Sequence, residues 1–565
     1  MVVRARSMWR FVAASKINKS PAPGRLARRW LYLIHRWVGI ASCLLFAMWF
    51  ASGLVMIYVP YPSLTRHERL AHLQPIEWPN VTSPAPRPGG LRSIALEMRD
   101  GHPVWRLTPW EGNPVAMSAE AGLPVAPVDA AMARRVATRF GHAPVSELER
   151  MERDQWTVAG GFNRHRPLWK ATLADDAGSV VYVSSSTGDV VQETTRSERF
   201  WNWLGSVPHW LYPTVIRQDN ETWRQVVMWV SGPCIAAGVT GMWIGILRTR
   251  IGRRRFKGGR MTPYHGWMLW HHIAGLVGGL FLVTWIFSGW LSVDPGRLFQ
   301  SEGISDTALR DYSGDVSPDR MMLEGLGNAV PGSVRIEVVS HAGSQMLIAA
   351  RSSGDEVVLN PRTHQPFSMP PGQVAFYAPR LIPPAPVVRS DNLTAPDAYW
   401  YGAGDLPQLP VIRLRFGDAA ATWIHIAPRT GEVIGSIDEK GRTYRWLFDL
   451  LHKWDVNALT MRRPLWDIVL WILSLLGLVT SVSGIWIGWK RLRLDRECLD
   501  RPMAWLANEA VLRSASRSPV GRLQAAFARK PLVPLPPNLG RSCPVGRFRE
   551  RTAGKRPIAD IDGIA

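Results

Sequence analysis

WLYLIHRWVGIASCLLFAMWFASGLVMIYV, residues 30–59, decides the fold. The run exceeds the roughly 20 apolar residues a helix needs to cross the hydrocarbon core of a bilayer. It is too long and too deep in the chain for a cleaved signal peptide, so it reads as an uncleaved anchor. Three further apolar runs, 223–247, 266–293 and 464–489, meet the same requirement. None of the four carries Lys, Asp or Glu in its central part. Trp30, Tyr32, Tyr58, Trp223, Trp486 and Trp489 crowd the ends, as interfacial belts do. A mean hydropathy near zero over 565 residues excludes a ten- or twelve-span transporter.

The charge is distributed with equal clarity. Of 67 Lys+Arg and 45 Asp+Glu, residues 1–30, 248–260 and 490–565 hold 31 basic and 7 acidic. The rest of the chain is almost balanced, with 36 and 38. The whole excess therefore lies on one side of the membrane, which the positive-inside rule makes cytoplasmic. A basic chain of this kind can suggest nucleic acid, but juxtamembrane charge is topological, and no nucleic-acid partner is expected. The expected order is a basic N-terminus (1–29), a first span (30–59) and an external domain (60–222). A second span (223–247), a basic loop (248–265) and a third span (266–293) follow. A second external domain (294–463), a fourth span (464–489) and a cytoplasmic tail (490–565) complete it; the tail is Pro/Arg-rich and expected to be disordered. Both termini are cytoplasmic in this order. The external segments carry strand-and-turn patterns, SVVYVSSSTGDVV and ATWIHIAPRTGEVIGSI, and a helical stretch near 127–140. Both read as α+β domains.

The chain also repeats itself. His35-Arg-Trp-Val-Gly39, Trp49 and Ser52-Gly53 match His271-His-Ile-Ala-Gly275, Trp285 and Ser288-Gly289 at an offset of 236. At an offset of 243, Thr187-Gly-Asp-Val190 matches Thr430-Gly-Glu-Val433, and Trp203, His209 and Trp223 match Trp446, His452 and Trp466. Gly241-Met-Trp-Ile-Gly245 matches Gly484-Ile-Trp-Ile-Gly488 in the same register. The unit is span, external α+β domain, span, and it occurs twice in the same orientation. The expected fold is a mixed α and α+β membrane protein. A four-helix transmembrane bundle arises by tandem duplication about a pseudo-twofold axis along the membrane normal.

Of 14 histidines, the repeat matches two pairs: His35 with His271, and His209 with His452. The first pair lies at the cytoplasmic ends of spans one and three, and the second on the outer side before spans two and four. Two imidazoles at one depth in a bundle are a natural axial pair for haem iron. Gly39, Gly53, Gly275, Gly278, Gly279 and Gly289 leave room for a flat macrocycle. A histidine at a span end also commonly sits in the interface, and glycines serve helix packing; both readings stay open here. His272 and His265 are substitutes for His271 that spacing does not eliminate. The other histidines, His67, His72, His102, His165, His341, His364 and His425 among them, read as surface or loop residues. Among the Trp residues, the matched Trp49/Trp285 and Trp243/Trp486 are the candidates to flank a cofactor.

The pattern of LxxIHRWxG…SG in the first span, its echo around His271, and the TGxV…WL…H…GxWIG register resembles the PepSY-associated transmembrane helix family over about residues 25–495. That family includes iron-regulated inner-membrane proteins and ferric-siderophore reductases. The resemblance implies a multi-pass bacterial inner-membrane protein with two PepSY-like periplasmic domains and two b-type haems. Their axial ligands would be His35, His271, His209 and His452. The double His271-His272 departs from the pattern and leaves the ligand there open.

No Cys-x-x-Cys-His is present, which excludes covalent haem attachment, and four cysteines do not make a disulfide scaffold. No Ser-His-Asp, His-Glu-x-x-His or Cys-x-x-Cys constellation and no Gly-rich dinucleotide fingerprint is present. No catalytic residue is assigned. The electron donor would be a separate molecule, a quinol or a cytoplasmic reductase. The expected acceptor is a ferric siderophore or similar Fe(III) chelate, with the lipid bilayer as the other partner. The alternatives are a membrane-anchored sensor or binding protein that captures a peptide or siderophore, and a siderophore permease component.

Overall fold

The computed structural model describes residues 23–317, 323–402 and 407–515, with side chains to residue 493. The described chain forms two compact units. One comprises the chain up to Leu44, Ala236–Gly279 and the chain from Val479 on; the other comprises Leu45–Ile235 and Leu280–Leu478.

Three helices are long and apolar enough to cross a membrane: Gly24–Met56, Asn220–Leu247 and Leu465–Arg493. A fourth span exists if Trp267–Val277 and Gly279–Leu291 count as one, because the helix breaks between them with a bend of 66°. The expected third span, 266–293, is thus interrupted. The break falls at Gly278, next to Gly279. An offset of 236 places Ser42-Cys43 at the same point of the first helix, which runs unbroken from Pro23 to Met56. Paired glycines lower helix propensity there and permit the kink. The last helix runs from Leu465 to Ala515. The first part of the expected disordered tail is therefore helical, and its remainder lies outside the described residues, as do residues 1–22.

The two segments between the apolar helices, expected to be external, repeat one strand order. β1 (Leu91–Arg99), β2 (His102–Pro109) and β3 (Val115–Ser118) precede helix Ala130–Gly141. The antiparallel meander β4 (Val145–Met151), β5 (Leu168–Leu173), β6 (Val180–Ser184) and β7 (Val190–Thr194) follows it. Asp129 caps that helix, its carboxylate accepting from Met132 N–H at 2.7 Å. In the second segment, β8 (Ser333–His341), β9 (Ser344–Arg351) and β10 (Glu356–Leu359) precede a short helix, Gln373–Tyr377. The meander β11 (Val387–Leu393), β12 (Val411–Phe416), β13 (Trp423–Ile426) and β14 (Val433–Ile437) follows. The two hairpins expected from sequence are β6–β7 and β13–β14.

The segments share one sheet where sequence suggested two separate domains. Its order is β10-β9-β8-β1-β2-β3, and β1 pairs antiparallel with β8. Ala95 lies opposite Glu337, with Ser93 opposite Val339 and Glu97 opposite Arg335. The starts of β1 and β8, residues 91 and 333, lie 242 apart, and the same step carries Ala95 to Glu337. Each first strand therefore pairs with its own counterpart about a local twofold. The pairing covers two strand edges that would otherwise expose unpaired backbone groups.

A charge cluster sits on this seam. Glu97 is fully buried on β1. Its carboxylate accepts from Arg69 at 2.7 Å, from Arg335 of β8 at 2.6 Å, and from Arg106 of β2. Arg69 and Arg106 also hold Asp189, at 3.1 and 2.9 Å. Burial alone would raise the Glu97 pKa, but Arg106, Arg69 and Arg335 hold it well below the usual carboxylate range. In the second meander Arg413 forks onto Asp397 at 2.5 and 2.9 Å and donates its Nε–H to His425 Nε2 at 2.9 Å. Trp400 stacks on the same imidazole at 4.5 Å. Burial, with Arg413 adding repulsion, pushes His425 down to about 4.

Glu97→Gln leaves three guanidiniums around a neutral amide in the core and is expected to cost about 3–5 kcal/mol. Removing the exposed Arg66–Glu356 pair should cost less than about 1 kcal/mol. Thermal or denaturant unfolding of both variants measures the contrast. His425 stays neutral in the fold, whereas its unfolded pKa is about 6.5. It contributes a loss of stability as pH falls from about 6.5 toward 4, with a slope of about 1.4 kcal/mol per pH unit. Unfolding between pH 7 and 5 should give a shallower slope for His425→Gln.

Candidate functional site

Two histidine pairs form, one within each unit. His35, on helix Pro23–Met56, meets His271, on helix Trp267–Val277, with ring centres 6.2 Å apart and planes at 42°. His209, on the short helix Ser206–His209, meets His452 of Leu451–Lys453, with ring centres 6.1 Å apart and planes at 70°. All four imidazoles are half-buried.

Every one of the four is held by the same ring nitrogen. His35 Nδ1 lies 3.1 Å from Ala237 O, and His271 Nδ1 lies 2.9 Å from Thr480 O and 3.2 Å from Ser483 Oγ. His209 Nδ1 lies 3.1 Å from both Trp49 O and Ser52 Oγ. His452 Nδ1 lies 3.0 Å from Ser288 Oγ. A backbone carbonyl accepts only, so Nδ1 is the protonated nitrogen where it meets one, and Nε2 keeps its lone pair. Burial pushes His209 down to about 4; burial together with His209 and Lys453 pushes His452 to about 3. Both are neutral imidazoles at neutral pH and can ligate.

The contacts recur at the sequence offsets. Ala237 and Thr480 stand 243 apart, and Ser52 and Ser288 stand 236 apart. A Cβ on Gly53 would lie 3.2 Å from His209 Cε1, and one on Gly289 would lie 3.5 Å from His452 Cε1. On the other pair, a Cβ on Gly241 would lie 2.6 Å from His35 Cε1, and one on Gly484 would lie 3.4 Å from His271 Cε1. Of the glycines expected to make room, Gly53 and Gly289 touch the histidines. Gly275 packs on Thr480, Gly279 on Met242, and Gly39 has no neighbour within 4 Å of a Cβ. Gly241 and Gly484, and the acceptors Ser52 and Ser288, have roles that sequence reading missed. Their signal was their place in the matched motifs.

Geometry separates the two histidines of the doubled pair. His272 Nε2 meets Thr249 Oγ1 at 3.2 Å, and its ring packs edge-on against Tyr264 at 5.2 Å, while its neighbour His271 faces His35. His265 is exposed and contacts Arg260. Of the candidate tryptophans, Trp49 acts through its carbonyl, and Trp285 donates its indole N–H to His452 O at 2.9 Å. Trp243 is largely exposed, and Trp486 packs on Trp267 at 6.0 Å. Phe448, which the sequence did not single out, stacks on His452 at 5.2 Å and 18°.

Residues 32–309 match the family described as the PepSY-associated TM region. The matched stretch, just under half of the chain, is a PepSY-associated TM region. The matched stretch includes His35, His271 and His209, and its apolar helices make the chain a membrane protein. No curated protein matches the chain.

The geometry admits one chemistry readily. A metal–imidazole bond is about 2.0 Å, so two in line place the ring centres about 6 Å apart. Both pairs have that spacing. Among the described residues no group of three or more His, Cys, Asp or Glu side chains is placed to hold a bare metal ion. A metal between either pair must bring its remaining ligands with it, as iron in a porphyrin does.

Gly241→Ala places a methyl against His35 and is expected to cost about 1–3 kcal/mol through overpacking. Gly484→Ala, with its wider contact, should be milder. Melting curves of the two variants in detergent test the difference.

Proposed function

We propose that this membrane protein binds two b-type haems, one between His35 and His271 and one between His209 and His452. With them it carries electrons to a ferric siderophore or similar Fe(III) chelate outside a bacterial inner membrane. The observation that carries the reading is the ring spacing of 6.2 and 6.1 Å, with Nδ1 engaged on all four imidazoles. When bound, haem supplies a one-electron couple whose potential follows its axial ligands and their hydrogen bonds.

The chain's own residues would hold and tune that group. The carbonyls of Ala237, Thr480 and Trp49 fix which nitrogen faces the metal and raise the basicity of the ring. Ser52 and Ser288 do the same for the second pair while donating to the carbonyls of Trp49 and Trp285. The recurrence of these contacts at two fixed offsets supports a tandem duplication with the spans in one bundle. The basic N-terminus, loop and tail support cytoplasmic termini. On that orientation the first pair sits toward the cytoplasm and the second toward the outside. A quinol or a cytoplasmic reductase would supply the electrons. At the acceptor, Fe(II) suits hard oxygen donors less well than Fe(III), so reduction loosens the chelate.

Absorption spectra of the purified protein, oxidised and dithionite-reduced, test the proposal. A Soret band with sharp α and β bands is expected. His35→Ala and His452→Ala should each remove one haem, and His272→Ala should remove none. A colourless protein expressed with haem supplied rejects the reading and leaves a membrane-anchored binding module. Retention of both haems in His35→Ala or His452→Ala rejects the ligand assignment.

A further inference from the structure

A second, unrelated feature lies in the sheet-bearing part of the chain. A cavity of about 50 Å³ opens between β1, β2, helix Ala130–Gly141 and the turn before β7. Four guanidiniums line it, those of Arg69, Arg99, Arg106 and Arg139, against the carboxylates of Glu97 and Asp100. Both carboxylates are already engaged. Glu97 is shared by Arg69, Arg106 and Arg335. Asp100 pairs with Arg135 at 2.7 Å and with Arg139 at 3.5 Å.

Arg99 is left over. Among the described residues it has no carboxylate within ion-pair distance, and its bond to Thr187 O is long, at 3.3 Å. It is half-buried, and burial together with the Arg106 charge lowers its pKa against the opposing pull of Asp189 and Asp100. It is not a loose surface cation. A Cβ on Gly188, whose φ of +73° favours glycine, would lie 2.8 Å from Arg99 Cδ, so the side chain runs across that turn. Arg106 shares the same carbonyl, Thr187 O, at 3.0 Å. A guanidinium partly withdrawn from water, with Asp189 and Asp100 near but neither within ion-pair distance, favours an anion beside it. Among the described residues, Arg139 on the same wall has polar contacts only to Asp100, at 3.5 Å, and to Gln74 Oε1, at 3.3 Å.

The second half shows that the fold itself does not need this charge. The step of 242 that relates β1–β2 to β8–β9 carries Arg99 to His341 and Arg106 to Ile348. The glycine turn is kept there, as Gly431 at φ +69°. The same pair of strands thus carries the Arg99 and Arg106 charges in one half only.

We propose that this pocket binds an anionic oxygen group, a carboxylate or phosphate of a small molecule outside the membrane, between Arg99 and Arg139. A water occupies about 10–15 Å³ on this scale, so the cavity suits one such group and leaves the rest of its molecule at the open mouth. The site is independent of the haem reading and stands if that reading fails.

The test uses the full-length protein in detergent and low-chloride buffer, titrated separately with citrate and inorganic phosphate. Melting temperature and calorimetry are the readouts. At least one anion is expected to raise the melting temperature of the natural protein. A response to citrate alone assigns a carboxylate, and one to phosphate alone assigns a phosphate. Arg99→Gln should weaken that binding by about tenfold or more. Without added anion its melting temperature should equal or exceed that of the natural protein, because a partly buried cation without an ion-pair partner is gone. Arg362→Gln, at an exposed position elsewhere, should bind as the natural protein does. The proposal is overturned if neither anion has an effect, or if Arg99→Gln binds as tightly as the natural protein. An anion-free loss of stability in Arg99→Gln also overturns it, since Arg99 is then a structural cation.

Discussion

A hydrogen bond from a ring nitrogen to a neighbouring segment fixes the arrangement of the site. Each of four imidazoles is tied at Nδ1, and the acceptors are carbonyls or serine hydroxyls of helices packed against it. A half-buried imidazole without such a bond could rotate, and either nitrogen could carry the proton. With it, the ring plane and tautomer are set before any ligand arrives. The spacing of the pairs then follows from helix packing, in which glycines at Gly241, Gly484, Gly53 and Gly289 let the rings sit close.

The sheet-bearing part depends on a different constraint. A three-stranded meander leaves an edge, and the two segments solve this by pairing β1 with β8. Glu97 then lies at the seam, where guanidiniums from both segments compensate it. Buried ion clusters of this kind contribute little net stability over an apolar core, yet losing one member is costly. They specify which strands meet more than they strengthen the meeting.

Much of this was legible in the chain itself, because spans and repeated motifs are carried by side chains. Trp, His and Gly at fixed offsets named both histidine pairs. What stayed hidden is carried by the backbone or by distant partners. The acceptors at Ala237, Thr480 and Trp49 are main-chain oxygens and have no residue signature. His271 and His272 differ only by about 100° around a helix, which spacing alone does not resolve. The break at Gly278 required comparison with Ser42-Cys43 at the matched position. The shared sheet joins strands some 240 residues apart, and a strand pattern does not name its neighbour.

The seam between β1 and β8 also means that covalent continuity is not what unites the two sheet-bearing segments. Scission of the basic loop between residues 248 and 260 would still leave a backbone ladder and an ion cluster bridging the fragments. Association of the fragments would then rest on that ladder and on the guanidiniums around Glu97 in place of a peptide bond.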